Sequence, residues 1–149
     1  MATTKTAKTA KSALSDSEKT ALKETVRERK AEEKRGVNRE AGLKDLLAKM
    51  AQMPQSDRVI AERIHAVVSK VAPELWPKTW YGMPAWASDG KVVCFFKAAD
   101  KFKTRYATFG FEEDARIDDG TMWATSWGIT KLSAADEAKL AALVKKAVG

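Results

Sequence analysis

The sequence predicts an α+β protein: an antiparallel β-meander of about four or five strands packed on helices, with a long helical N-terminal extension and a C-terminal helix. Three observations predict it. Apolar residues recur at helical spacing as far as Val71, give way to β-branched and aromatic runs from Ala85, and return to helical spacing after Ser133. The strand-like runs are joined by short connections, which suit antiparallel neighbours, whereas parallel strands need a long crossover. Between the regimes, Pro73, Pro77 and Pro84 with Gly82 exclude a long helix.

Met1 to Ala13 is built almost wholly of Ala, Thr and Lys with no large apolar anchor, so residues 1–14 are expected to be a disordered basic tail. Ser15-Asp16-Ser17-Glu18 has the spacing of a capping box and starts a helix to about Arg35. Its only large apolar residues are Leu22 and Val26, so residues 15–36 read as a charged extension that docks weakly or lies in solvent. Gly36-Val37-Asn38 breaks it, and residues 37–149 form the folded domain. A helix from about Arg39 to Gln52 presents Leu43, Leu46, Leu47 and Met50, and Pro54 ends it. Ser56 is the expected cap of the next, Asp57 to Val71, whose Ile60, Ile64, Val67, Val68 and Val71 trace one stripe.

Glu74 to Pro84 reads as an irregular, aromatic-rich approach to the sheet, and Ala85 to Ala87 as a short strand. Ser88-Asp89-Gly90 is a turn into the strand Lys91–Lys97, and Ala98 to Lys101 a second turn into Lys103 to Phe109. A fourth strand is expected within Met122 to Ile129. Ser133 caps a last helix, Ala134 to Val148, lined by Leu140, Leu143, Val144 and Ala147. Its acidic start, Asp136 and Glu137, and basic end, Lys145 and Lys146, suit the helix dipole.

At 149 residues the chain suits a single domain. Its net charge of +7 divides into +4 over residues 1–36 (ten Lys and Arg against six Asp and Glu) and +3 over the rest (seventeen against fourteen), so the body is nearly balanced. No apolar run reaches the roughly 20 residues of a membrane span, and the polar start lacks the apolar centre of a signal peptide. With a lone Cys94, which cannot form an internal disulfide, these features make the cytoplasm the expected location and exclude a membrane partner.

Little in the sequence points to catalysis. The one histidine, His65, sits at the boundary of its helix's apolar stripe with no nucleophile motif to match it, and reads as a structural or surface histidine rather than a catalytic one. Cys94 lies in an apolar strand without a basic neighbour and reads as a buried thiol. One Cys and one His cannot make a usual zinc site. Oxygen donors are plentiful: Glu112, Glu113, Asp114, Asp118 and Asp119 are the candidate ligands for a hard or borderline cation, against the plainer reading of a solvated acidic loop. No phosphate-binding glycine motif occurs, and Lys5, Lys8 and Lys11 offer only weak, non-specific contact with nucleic acid. Aromatics are dense instead. Trp80, Tyr81, Met83, Trp86, Lys91, Phe95, Tyr106 and Trp123 are the candidate ligand-binding residues, serving either a core or a pocket. Alternation puts Cys94 and Phe96 on one sheet face and Phe95 on the other; if helices cover only one face, the second becomes a recognition surface.

The run Lys78-Thr79-Trp80-Tyr81-Gly82-Met83-Pro84-Ala85-Trp86, followed by Gly90-Lys91-Val92-Val93-Cys94-Phe95-Phe96-Lys97, resembles the signature of YdhG-like domains, a family of unknown function. The stretches Lys101–Phe111 and Asp118–Trp123 and the final helix extend the likeness over roughly Leu43 to Val148. The resemblance implies a curved antiparallel sheet on helices, and some members are labelled frataxin-like iron chaperones. The resulting expectation is a non-enzymatic intracellular binding protein that carries ferrous iron (Fe2+) to an iron-accepting protein. The alternative is a small-molecule or protein-binding module built on the aromatic surface, and weak nucleic-acid association through the tail ranks third.

Overall fold

Two hairpins organise the sheet. Tyr81 and Gly82 have φ of 51° and 75°, and Asp89 and Gly90 of 50° and 80°, so each pair has the left-handed backbone of a two-residue type I′ turn. Such turns match the natural twist of the strands they join and fix their register. In the computed structural model, which describes residues 15–35 and 39–149, they connect the first three strands of a five-stranded antiparallel meander. The expected tail and the Gly36-Val37-Asn38 break lie outside the described residues.

The element order is α1 (Asp16–Arg35), α2 (Arg39–Ala51), α3 (Gln55–Val71), β1 (Trp76–Trp80), β2 (Met83–Ser88), β3 (Lys91–Lys97), α4 (Ala99–Phe102), β4 (Ala107–Phe111), β5 (Ser126–Ile129) and α5 (Ala134–Ala147). The α+β class and the meander are as the sequence predicts. The strand expectations need correcting at the prolines: β1 occupies the stretch read as irregular. Pro77 is tolerated because β1 is the sheet edge, and Pro84 because pairing of β2 with β3 begins only at Ala85↔Phe95. The turn expected at Ala98 to Lys101 is the helical turn α4, closed by Lys103 at φ 54°, so β4 starts at Ala107 rather than Lys103.

Capping also differs in one place. Pro54, not Ser56, stands at the N-cap of α3 and makes no side-chain bond. The neighbouring Asp57 is buried and serves another helix: its carboxylate oxygens accept from the backbone amides of Ala99 (3.3 Å) and Asp100 (3.0 Å), satisfying the free donors at the start of α4. Ser133 and Asp136 form the reciprocal capping box of α5. Arg63 of α3 and Glu137 of α5 pair at 2.7 Å across the two helices.

Register assigns the faces. Trp86 pairs with Cys94, Cys94 with Phe111, Phe96 with Phe109, and Phe109 with Trp127, so all point the same way. They meet Leu46 and Met50 of α2, Ile60, Ile64 and Val68 of α3, and Leu140 and Val144 of α5 in one core. The rows of the opposite face are Trp76↔Ala87↔Val92; Lys78↔Ala85↔Phe95↔Gly110↔Ser126; Trp80↔Met83; and Lys97↔Thr108↔Gly128. A register shift between Trp86 and Ala87 accommodates Val93, which is buried although alternation alone places it beside Phe95.

The two aromatics of the first hairpin should respond oppositely to substitution. Trp86 is 1% exposed, so Trp86→Ala should cost about 3–5 kcal/mol in denaturant unfolding. Tyr81 is 37% exposed and holds a backbone angle that a bulky residue rarely adopts, so Tyr81→Asn should stay within about 1 kcal/mol of the parent. A large loss at position 81 would show that its ring contacts outweigh the backbone strain.

Candidate functional site

The aromatic residues divide between the two sides of the sheet. Trp86 belongs to the core: its indole N–H donates to Nδ1 of His65 at 3.2 Å, and the two rings stack with centroids 6.1 Å apart. On the open side, Trp80 meets Tyr81 edge-on at 5.1 Å and Phe95 at 5.5 Å, with Met83 beside Trp80 in register. Tyr106 joins this side from the residue before β4, its ring lying over Gly128. Lys91 is exposed at the second hairpin turn, and Trp123 and Met122 are exposed in the loop before β5. The structure thus brings Trp80, Tyr81, Met83 and Phe95 together and separates Trp86 from them.

Glycines make the open side possible. A Cβ at Gly110 would stand 2.5 Å from Cζ of Phe95, and one at Gly128 would stand 3.0 Å from Tyr106, so each ring occupies space that a side chain would fill. With Ala85 and Ala87, these positions form a floor of small residues under large rings. Lys78 and Lys97 share the face by register, and the Arg105 guanidinium lies 5.2 Å from the Tyr106 ring centre. Trp76 belongs to the aromatic-rich stretch of the sequence and Lys97 flanks its clearest strand, whereas Gly110 and Gly128 escaped the sequence reading as parts of this face. The signal for them was glycine within two strand-like runs, each facing an aromatic on a neighbouring strand.

A second, polar region lies between α1 and α2. Glu24, Arg27, Glu28, Asp45, Lys49, Gln52 and Thr79 are among the residues lining a cleft of about 240 Å³. Glu24 bonds to Lys49 at 3.2 Å and to Lys101 of α4, whose Nζ also donates to the Gly82 carbonyl at 3.2 Å. Burial raises the Glu24 carboxyl's pKa, but the hydrogen bonds and charges of Lys101 and Lys49 outweigh it and hold the group below its ordinary 4.5. Glu28 goes the other way: burial lifts it above 4.5 despite hydrogen bonds from Thr79 and the Gly82 backbone. The extension therefore docks through its polar side, with Ala21 buried and Leu22 and Val26 exposed.

The remaining candidates are held apart from one another. Cys94 is fully buried, and desolvation pushes its thiol far up from the usual range, so no thiolate forms near neutrality. The acidic loop is pinned inward at Ala115 and Ile117, and the Arg116 amide donates to the Ala147 carbonyl at 2.9 Å. Glu113, Asp114, Asp118 and Asp119 are exposed around these anchors, and Glu112 is half-buried. Among the described residues, no three His, Cys, Asp or Glu side chains form a group that could hold a metal ion. Among the same residues no helix is long and apolar enough to cross a membrane.

Burial lowers the pKa of His65 below its ordinary 6.5, so the neutral form stabilises the fold above that value and the contribution is lost as pH falls through the lowered folded value. Protonation at Nδ1 would also remove the acceptor of the Trp86 N–H. Melting temperatures should therefore fall more steeply between about pH 6.5 and 5 for the parent than for His65→Gln; parallel curves would mean the imidazole is not held neutral. For the extension, Glu24→Gln should speed amide exchange in α1 at neutral pH while β3 and α3 keep full protection, and unchanged α1 exchange would show that Glu24 does not anchor it.

Comparison with family models, with curated proteins and with solved structures gives no match.

Proposed function

We propose that this protein is a non-catalytic binding module that recognises planar, unsaturated groups through the open face of its sheet. One observation carries the reading: the described helices that join the core do so on the Trp86 side, leaving Trp76, Trp80, Phe95 and Tyr106 on the other with a floor of alanine and glycine. Large rings on a sheet face that the described core helices leave open cost solvent exposure without adding to the core, and a partner ring stacking on them recovers that loss. The single histidine and the single cysteine are both engaged structurally, one as acceptor for Trp86 and one sealed in the core. Iron carriage by the Glu112, Glu113, Asp114, Asp118 and Asp119 loop is the weaker proposal, since it requires exposed carboxylates to converge only when the ion arrives.

The test is a titration with two neutral ring compounds, indole and quinoline, followed by two-dimensional NMR of the backbone amides and the tryptophan side chains. The Trp76 and Trp80 indole signals should move together at millimolar ligand while that of Trp86 stays fixed. No movement, or movement confined to the cleft between α1 and α2, would overturn the proposal.

A further inference from the structure

The charges interleaved with those rings say more about the ligand. Resting on the open-face reading, we propose that the face binds single-stranded nucleic acid, with bases stacking on Trp76, Trp80, Phe95 and Tyr106 and phosphates held by Lys97 and Arg105. Among the strand residues that register places on this face, the charged ones are Lys78 and Lys97, and none is acidic. Arg105 adds a third cation at the Tyr106 end. A surface that only needed a neutral ring would have no use for Lys97 and Arg105 beside its rings, and two copies of it pressed together would set like charges against each other. Alternating ring and cation is the arrangement a single strand requires, because every base offers a π-face and every nucleotide carries one phosphate.

The dimensions agree. From β1 to β5 there are four steps between neighbouring strands, about 19 Å in all, on the scale of the smallest single-strand sites of about four nucleotides. A duplex hides its base faces, so it can use only the cations. The glycine floor bears directly on this surface. Phe95 and Tyr106 lie over Gly110 and Gly128 because no Cβ lifts them, so the rings form a low platform rather than isolated knobs. Tyr81, held at φ 51° against Trp80, extends the platform beyond the end of β1.

The experiment measures fluorescence anisotropy of labelled ten-nucleotide oligo(dT) and oligo(rU), and of a duplex of equal length, with the full chain at low and physiological salt. Single strands should bind better than the duplex, and affinity should fall about sevenfold between 50 and 200 mM salt, as about two phosphate contacts dictate. Tyr106→Ala and Trp80→Ala should each weaken binding at least about fivefold. Lys97→Glu should weaken it and flatten the salt dependence, with circular dichroism confirming the fold of each variant. Replacing Lys5, Lys8 and Lys11 together with Gln should leave the single-strand preference intact. Equal affinity for the duplex, or loss of binding on the Lys5, Lys8 and Lys11 change alone, would overturn the inference. So would a dimer in sedimentation that Lys97→Glu alters, with no oligonucleotide bound. If indole and quinoline shift Trp76 and Trp80 but no oligonucleotide binds, only this inference fails; if neither class binds, the open-face reading fails with it.

Discussion

Register is the constraint on which the rest of the molecule depends. Two turns of two residues each, Tyr81-Gly82 and Asp89-Gly90, leave no slack between β1, β2 and β3. A slip by one residue would turn Trp86, Cys94 and Phe96 outward and bring Lys78 and Lys97 into the core. Burying two ammonium groups without partners is so costly that the alternative register is not accessible. The same alternation therefore builds the core and sets out the open face. One side cannot be altered without the other.

Much of this was legible in the sequence. The helical stripes of α2, α3 and α5 and the apolar run of β3 are long, strongly periodic signals, and they gave the fold class and most element positions. What was missed has physical causes. Proline at positions 77 and 84 argued against strands, yet an edge position and a register that starts one residue later remove the penalty. The separation of Trp86 from Trp80, six residues away, is a matter of facing, and alternation in that stretch was hidden once it had been read as irregular. Asp57 looked like part of a helix start, and only the tertiary approach of α4 reveals what its carboxylate does.

Electrostatics explain how a helix with so little apolar surface stays in place. Glu24 sits between Lys49 and Lys101 and beside the hairpin at Gly82, so α1 is tied to α2, to α4 and to the β1–β2 turn at a single point. The lowered pKa of Glu24 and the raised pKa of Glu28 describe two different positions one helical turn apart, one balanced by cations and one chiefly desolvated. The sequence displayed both glutamates among many other charges. Nothing in their spacing distinguished them from the solvated remainder of the helix.

Cys94 offers a consequence of a practical kind. It is the one cysteine of the chain, it lies at the centre of the middle strand with no accessible surface, and its proton is held tightly. A thiol reagent can therefore reach it only when the helices packed on that face have come away, so the rate of labelling reports the rare opening of the core between helices and sheet. The chain carries its own clock for global unfolding, one that needs no introduced probe and that is silent toward motions of α1 or the loops.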